Sequence, residues 1–242
     1  MGGFFTPINF LTLQIPNYFF LKKISFTLLV VFMLSSNLFG QQRFSIATDA
    51  SVLRSYQSTQ KFWAFGQTVN ANFHLTPVHG VYLFVSYYSP GEFVNQVKAI
   101  ARQPGTQPQQ IDINNRAEIN YKTISVGYKR YLKGNAYAEE NWNLYGYAGF
   151  GLIMANARNN YQMNLDTSLY QPPAQPVNEE GRFQRLTLDV ALGGEVPIRG
   201  DLYLYLEGRS WVLTSQYPTP LLLENKNAPM LFAANFGLRI LF

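Results

Sequence analysis

Hydrophobic and polar residues alternate along most of the chain beyond residue 40. The pattern is clearest at the C-terminus, where every second residue from Met230 to Phe242 is apolar and Asn235 and Arg239 lie between them. Alternation with a period of two predicts β-strands with one apolar and one polar face. Eight such segments predict eight strands, at about 44–52, 63–74, 80–89, 118–131, 142–156, 185–195, 202–209 and 230–242.

The connections between the predicted strands differ in length. Thr76–Gly80 and Pro197–Gly200 are short and turn-like, whereas 90–117, 158–182 and 214–228 are long and polar. Long loops at one end and short turns at the other are typical of bacterial outer-membrane barrels, and an even strand number returns both termini to one end. The sequence therefore predicts an all-β fold, an eight-stranded antiparallel up-and-down transmembrane β-barrel with meander topology.

Two of the predicted strands alternate imperfectly. In the fourth, Glu118, Asn120 and Lys122 share a parity with the apolar Ile124 and Val126, which predicts a β-bulge near Lys122. The fifth is so rich in glycine and aromatic residues that its two faces cannot be assigned from the sequence.

The first 40 residues have the order of a secretory signal. Lys22 and Lys23 precede the apolar run Ile24–Leu34, and small residues lead to a predicted cleavage after Gly40. We therefore expect a signal peptide over 1–40 and a barrel over 41–242. The alternative is an N-terminal membrane anchor, for which the run is short. Because the basic pair lies so far from Met1, we also expect residues 1–20 to precede the true start at Leu21.

Composition agrees with a membrane barrel. Only 14% of the 242 residues are charged, 16% are aromatic, and the mean hydropathy is −0.09. Such aromatic content argues against a disordered chain, and the absence of cysteine excludes a disulfide scaffold. Removing residues 1–40 takes away Lys22 and Lys23 and lowers the net charge from +5 to +3, so no nucleic-acid partner is expected.

The polar faces carry charges of both signs. An eight-stranded barrel is just wide enough for side chains to fill its interior, and buried charges are stable only when paired. We therefore predict an ion-pair network that closes the lumen, formed by Asp49, Lys129, Arg185, Asp189, Glu195, Glu207, Arg209 and Arg239. The alternative is that some of these charges lie unpaired at the wet ends of the barrel.

Aromatic residues near the strand ends predict interfacial girdles. At one rim these are Phe44, Phe73, Tyr128, Trp142 and Phe242, and at the other Trp63, Phe65, Tyr87 and Trp211. Ordinary core aromatics of a soluble barrel would be the alternative.

Candidate catalytic chemistry is sparse. The two histidines, His74 and His79, flank one short turn, and a metal site would need a further ligand. No nucleophile elbow or phosphate-binding loop occurs. We predict no enzyme activity and no cofactor. The Pro/Gln-rich segments at 102–110 and 170–180 are equally consistent with a binding surface and with mobile loop tips.

Three features together resemble a known group of proteins: the signal ending Leu38-Phe39-Gly40-Gln41, the eight alternating segments, and the terminal strand ending at Phe242. They resemble the small outer-membrane barrels of the OmpX and OmpA-barrel type, and especially the outer-membrane β-barrel domain and PorT-like proteins of Bacteroidota. The resemblance implies location in the cell outer membrane, in contact with its lipid. It also implies that Leu238, Ile240 and Phe242 form an assembly signal for the barrel-assembly machinery.

The resemblance carries no catalytic residues, and three functional hypotheses remain. The first is a non-enzymatic barrel with a structural, adhesive or partner-binding role through its long extracellular loops. The second is a narrow channel or transporter, which a filled lumen would disfavour. The third is a soluble periplasmic, lipocalin-like barrel, in which apolar residues would line the interior and charges would face water.

Overall fold

A computed structural model describes residues 43–56, 59–216, 220–223 and 231–242. The predicted signal peptide, its cleavage site and the alternative start at Leu21 lie outside the described residues. Among the described residues, no helix is long and apolar enough to cross a membrane.

Eight long strands and one short strand form a single closed antiparallel sheet. In chain order they are β1 (Phe44–Ser55), β2 (Trp63–His74), β3 (His79–Ala101), β4 (Gln110–Lys133), β5 (Asn143–Tyr161), β6 (Tyr170–Gln171), β7 (Glu180–Arg199), β8 (Leu202–Leu213) and β9 (Leu231–Leu241). Each long strand pairs with the next one, and β9 pairs with β1 to close the ring. The two-residue β6 pairs only with the far end of β3. The predicted eight-stranded barrel is confirmed.

Side chains alternate between the interior and the exterior along every long strand, except at one bulge in β3. On β9, the Phe236 side chain is 56% exposed on the outside, whereas its neighbour Asn235 is 0% exposed inside. The exterior is apolar and the interior is largely polar or aromatic, which is the reverse of a soluble barrel. The strand whose faces the sequence left open, β5, follows the same rule: Tyr145 and Tyr147 face inward and Phe150 faces outward.

The strands differ greatly in length. β1, β2 and β8 have 12 residues each and β9 has 11, whereas β3 and β4 have 23 and 24. A strand needs only about 9–11 residues to cross a bilayer. The ends of β3, β4, β5 and β7 therefore form a protruding sheet on the side that we call the long-loop end. The opposite side, where β1 begins and β9 ends, is the terminus end.

The predicted bulge near Lys122 is wrong. β4 alternates without interruption, and Glu118, Asn120 and Lys122 all stay on its outer face. The irregularity lies in β3 instead, between Tyr88 and Gly91, where two residues of β3 lie opposite one residue of β4. The polar residues of β4 tolerate their outward position because they belong to the protruding sheet, where the exterior is water instead of lipid.

Candidate functional site

Two buried ion pairs lie inside the barrel. Arg239 forms a two-pronged pair with Glu195, with Nε to Oε2 at 2.9 Å and Nη2 to Oε1 at 2.7 Å. Arg209 lies 2.9 Å from Glu207, two residues away on β8. All four side chains are at most 2% exposed. The parallel geometry of the first pair is the strongest arrangement of a guanidinium with a carboxylate.

Tyrosines complete the environment of both carboxylates. Tyr131 donates to Glu195 at 2.9 Å, and Tyr145 donates to Glu207 at 3.2 Å. The two guanidinium groups lie against aromatic rings, Arg239 at 3.8 Å from the Tyr203 ring centre and Arg209 at 3.8 Å from that of Phe84. Hydroxyl donors and aromatic faces thus compensate the buried charges together with the opposite charge.

Lys129 has no carboxylate within ion-pair distance in the described part of the chain. Its ammonium group is surrounded by rings instead, at 3.9 Å from the centre of Tyr145, 4.7 Å from Tyr131 and 5.1 Å from Tyr147. The predicted position inside the barrel is observed, with the side chain fully buried. Aromatic faces therefore contribute to stabilising its charge, which the predicted ion-pair network did not include.

The two aspartates of the predicted network bind hydroxyl groups. Asp49 accepts hydrogen bonds from Thr68 and from Tyr205, both at 2.5 Å, and Asp189 accepts one from Thr187 at 2.6 Å. The described residues place no cation in an ion pair with either aspartate. The network expected from charge counting is therefore two ion pairs within a larger set of polar contacts.

Arg185 does not join these groups. Its Nε donates to the carbonyl of Gln216 at 2.9 Å, and its side chain is partly exposed near the long-loop end. The predicted inward direction is observed, since Arg185 lies on the same face of β7 as the buried Phe183 and Thr187. Its depth is what the prediction missed, because β7 continues well beyond the level of the two ion pairs.

Glycines make room for the inward rings. Gly127 on β4 and Gly149 on β5 are paired neighbours, and a side chain on either would collide with Tyr82. Gly193 on β7 similarly faces the ring of Tyr145. The glycine-rich sequence of β5 thus reflects packing against large inner side chains.

The lumen is filled at mid-barrel. The gap that remains between Lys129, Tyr145, Tyr147 and Glu207 is too small to admit a water molecule. Tyr203 and Tyr205 are buried and share the parity of Glu207 and Arg209, but the inner tyrosines of β3 to β5 were not predicted. The sequence of β3 contains a pattern that predicts their direction, because Tyr82 and Tyr88 lie on the same face of the strand as the polar Ser86.

The β4–β5 connection covers the terminus end of the lumen. Ala136 is completely buried, its N–H donates to Pro77 at 2.8 Å, and its carbonyl accepts from Arg239 at 3.2 Å. Arg43 lies over the ring of Tyr137 at 5.0 Å. This connection is long for a turn at this end because it folds inward across the barrel mouth.

The two histidines have separate environments. His74 is buried and bonded to Ser45 at 2.9 Å, whereas His79 stacks on the exposed Tyr128 and is hydrogen-bonded to it. In the described ranges, no group of three or more His, Asp or Glu side chains is arranged to hold a metal ion. The two residues have structural contacts and do not converge on one site.

Most of the predicted girdle aromatics are exposed on the barrel exterior, but Trp211 is a correction. Its side chain is 0% exposed and packs edge-on against Tyr88, with ring centres 6.0 Å apart. Trp211 shares the inward parity of Glu207 and Arg209, and this parity decides its direction. Proximity to a strand end was the weaker criterion.

The three residues of the predicted assembly signal all lie on the outer face of β9 or directly after it. Leu238, Ile240 and Phe242 are exposed, and the Phe242 ring stacks on Phe44 of β1 at 4.8 Å between centres. They line the seam at which the first and last strands close the barrel.

The Pro/Gln-rich segments are attached to the protruding sheet. Tyr170 of β6 donates to the carbonyl of Pro108 at 3.0 Å, and Tyr161 of β5 donates to that of Pro176 at 2.5 Å. Inside the sheet, a small apolar cluster buries Val97, Ala99 and Ile113 with Tyr170. The long-loop end therefore has a core of its own.

No protein-family model and no curated protein matches this chain. Among solved structures, Neisserial surface protein A (NspA) matches with 11% identity over 83% of this chain and 99% of its own, with a TM-score of 0.50. Ail of Yersinia pestis, solved in complex with the heparin analogue sucrose octasulfate, has 11% identity over 84% and 99%, with a TM-score of 0.46. The N-terminal β-barrel domain of Pseudomonas aeruginosa OprF has 11% over 84% and 100%, with a TM-score of 0.45.

The likeness to NspA shows a shared fold, and the physical character of the barrel agrees with it. A closed ring of strands satisfies all backbone groups without water, and an apolar exterior around a polar interior requires a surrounding bilayer. The protein is an integral β-barrel of the cell outer membrane.

Proposed function

We propose that the protein is a non-enzymatic, non-conducting outer-membrane barrel that presents its long-loop end for contact with partners outside the cell. One observation carries this proposal: the interior is filled with side chains while four strands continue far beyond the bilayer. A pore needs an open interior, whereas a contact surface needs a rigid structure above the membrane.

The closed interior argues against the channel alternative. The two ion pairs fill the middle of the barrel, the β4–β5 connection covers the terminus end, and the buried Leu221 and Leu222 pack at the long-loop end. Removing one member of a buried ion pair costs several kcal/mol, so these groups do not separate readily to admit ions. The lipocalin-like alternative needs an apolar interior and a polar exterior, the reverse of the observed faces.

The protruding sheet supports the contact role because it is ordered before any partner binds. Its small apolar cluster, its β6 pairing and the tyrosine bonds to Pro108 and Pro176 hold the loops in place. A preorganised surface binds with a smaller loss of conformational entropy. Within this fold, we further propose that the chain belongs with the PorT-like barrels of Bacteroidota, because its predicted signal ending and its terminal strand resemble theirs.

Conductance in planar bilayers tests the closed barrel. The wild-type protein is expected to give no discrete current steps. A Glu207→Ala/Arg209→Ala variant, which removes the mid-barrel pair, is expected to give measurable steps and so shows that the assay detects an open barrel. Regular steps from the wild-type protein would overturn the proposal in favour of a channel.

Cysteine labelling tests which end faces outward. The chain has no cysteine, so single variants are clean probes. On intact cells, an impermeant maleimide is expected to label Gln103→Cys at the tip of the β3–β4 hairpin and to leave Glu140→Cys, in the β4–β5 connection, unlabelled. Both variants should react after the cells are lysed. Labelling of Glu140→Cys alone on intact cells contradicts the proposed orientation.

A further inference from the structure

The outer face of β3, β4, β5 and β7 changes from apolar to polar between two adjacent rows of paired residues, where the protruding sheet begins. The last wholly apolar row consists of Val85, Ile124, Leu152 and Leu186. The next row toward the long-loop end consists of Tyr87, Lys122, Met154 and Gln184. Tyrosine and lysine are residues of the membrane–water interface, so the apolar belt ends here.

A shallow cleft opens at this boundary. It has a volume of about 370 Å³, and Lys122 and Arg182 contribute its two charged groups. Tyr87 and Met154 line its apolar part, and the Lys122 ammonium group lies 5.8 Å from the Tyr87 ring centre. The cleft thus combines two cations with a surface continuous with the lipid-facing belt.

The two cations lie on different strands and flank β5. Lys122 is on β4 and Arg182 on β7, two strand spacings or about 10 Å apart across the sheet and two residues, or about 7 Å, apart along it. Both side chains are long enough to approach the same anion above Met154 and Asn156. An anion held in this way has one cation toward the bilayer and one farther from it.

Neither cation is already neutralised. Within the described ranges, Lys122 and Arg182 take part in no ion pair, whereas Arg116 on the same face pairs with Glu92 at 2.6 Å. The carboxylates of Glu118 and Glu180 line an adjoining cleft together with Arg158, and the two clefts share Asn120 and Asn156.

Asn156 adds a polar side chain with an acceptor that has no hydrogen-bond partner among the described residues. Its Nδ2 donates to Glu180 at 3.0 Å, while its buried Oδ1 has no hydrogen-bond partner among the described residues. A buried acceptor without a partner is uncommon and is satisfied when a donor binds beside it. Because this oxygen is buried, it can receive a hydroxyl group of a lipid headgroup only after the Asn156 side chain turns toward the cleft.

We propose that the cleft between Lys122 and Arg182 binds the phosphate of a bilayer lipid headgroup in the leaflet at the long-loop end. Lysine and arginine together bind phosphate as a point charge and a planar fork. The position of the cleft favours a lipid over a free anion, because acyl chains attached to the phosphate would follow the apolar surface of Ile124 and Leu152 below it.

Native mass spectrometry of the full barrel in uncharged detergent tests this site. The probe is dioctanoyl phosphatidylglycerol, compared with dioctanoylglycerol, which lacks the phosphate, and with inorganic phosphate, which lacks the acyl chains. We expect the phospholipid to bind most tightly and its affinity to fall as salt is added. Loss of both cations in Lys122→Gln/Arg182→Gln should weaken its binding at least about tenfold.

The matched control is Lys98→Gln/Arg116→Gln, which removes the same charge from the same sheet farther from the belt and should leave the affinity unchanged. A mobility shift on heating shows that every variant is folded. Equal binding by the Lys122/Arg182 variant and the wild type overturns the site. Equal binding of dioctanoylglycerol overturns the role of the phosphate, and equal binding of inorganic phosphate overturns the assignment to lipid.

Discussion

Charged residues in the barrel interior are stabilised by aromatic rings and hydroxyl groups as well as by opposite charges. Lys129 is the clearest case, since three tyrosine rings surround it and the described residues place no carboxylate within ion-pair distance. A cation gains from the negative face of a ring, and the gain grows as water is removed. Tyrosine suits this interior because its ring fills space and its hydroxyl can donate to a carboxylate.

The Arg239–Glu195 pair gives a prediction at this scale. Arg239→Met leaves the buried Glu195 without its bidentate partner and is expected to lower the free energy of unfolding by about 3 kcal/mol. The double variant Glu195→Gln/Arg239→Met removes the unpaired charge and should regain much of that loss. Urea unfolding in phosphatidylcholine vesicles, followed by tryptophan fluorescence, measures both changes.

The control for that experiment is Arg199→Met. Arg199 is exposed beyond the apolar part of β7, and its loss should change stability by less than about 0.5 kcal/mol. If the double variant is as unstable as Arg239→Met, the ion pair does not account for the effect.

Asp166 gives a prediction about pH. It lies in the β5–β7 connection, outside the membrane-spanning strands, and accepts hydrogen bonds from the Ser168 hydroxyl at 2.6 Å and the Ser168 amide at 2.9 Å. These bonds favour the carboxylate and hold the pKa of Asp166 below its ordinary value of 3.8. Their stabilisation of the turn is present above that ordinary pKa and is lost as the pH falls through the lowered one.

The Ser168 amide resonance reports this titration by NMR in micelles. Its chemical shift should move with a midpoint below 3.8, and Asp166→Asn should abolish the transition. Asp112→Asn, in exposed β4, should leave it unchanged. A midpoint at or above the ordinary value contradicts the expected direction.

At the scale of the element, the bulge in β3 keeps the inward residues on both sides of it on the same face of the strand. Ser89 and Pro90 both lie outward opposite one residue of β4, so Tyr88 and Gly91 both remain inward. The bulge changes which residue numbers face outward without turning any apolar residue to the wrong side. The bulge was predicted in β4 because polar residues at outward positions are unexpected where the exterior is lipid.

Two single-residue deletions test this interpretation. Deleting Pro90 should make the ladder regular and preserve the inward position of Phe93 and Val97. Deleting Val94 should reverse the direction of every residue from Asn95 to the end of β3, because the side-chain period is two. Trypsin cleavage of the protruding sheet should then be at least about tenfold faster than in the Pro90 deletion, as a local loss of about 1.4 kcal/mol would give.

Limited proteolysis of the folded barrels, separated on gels, measures this difference. The membrane-spanning part should still shift in mobility on heating in both variants. Equal protection of the two deletions would mean that the direction of residues 95–101 does not determine the stability of the protruding sheet.

At the scale of the whole molecule, the barrel depends on joining its first and last strands. β1 and β9 pair over 11 residue positions, and the stacked rings of Phe44 and Phe242 lie at the end of that seam. We expect Phe242, with Leu238 and Ile240, to be recognised by the barrel-assembly machinery before closure. The seam joins residues far apart in sequence, so the entropy cost of closing it is large until the intervening strands are ordered.

Phe242→Ala separates recognition from packing when compared with Phe236→Ala on the same face of β9. In cells, Phe242→Ala should lower the amount of folded, heat-modifiable protein in the outer membrane several-fold, because the terminal ring is lost. In purified lipid vesicles the two variants should fold equally well. An equal defect of both variants in cells would contradict a specific assembly signal.

Local alternation was enough to predict the barrel, most outward residues and the inward direction of all eight proposed network residues. It succeeds because a strand in a bilayer has only two directions for a side chain and the solvent on each side is different. Alternation failed to predict the ends of β3, β4, β5 and β7. The exterior there is water instead of lipid, so polar residues face outward within the strands and the segments resemble loops in the sequence.

Only the tertiary structure decided which inward groups meet. Arg239 and Glu195 are 44 positions apart, and their pairing depends on the stagger between strands, which no single segment encodes. The same holds for the tyrosine rings around Lys129 and for the cleft shared by Lys122 and Arg182. The sequence by itself determined the direction of each side chain, because direction is a local property of a strand, whereas partners and depth follow from the register of the closed sheet.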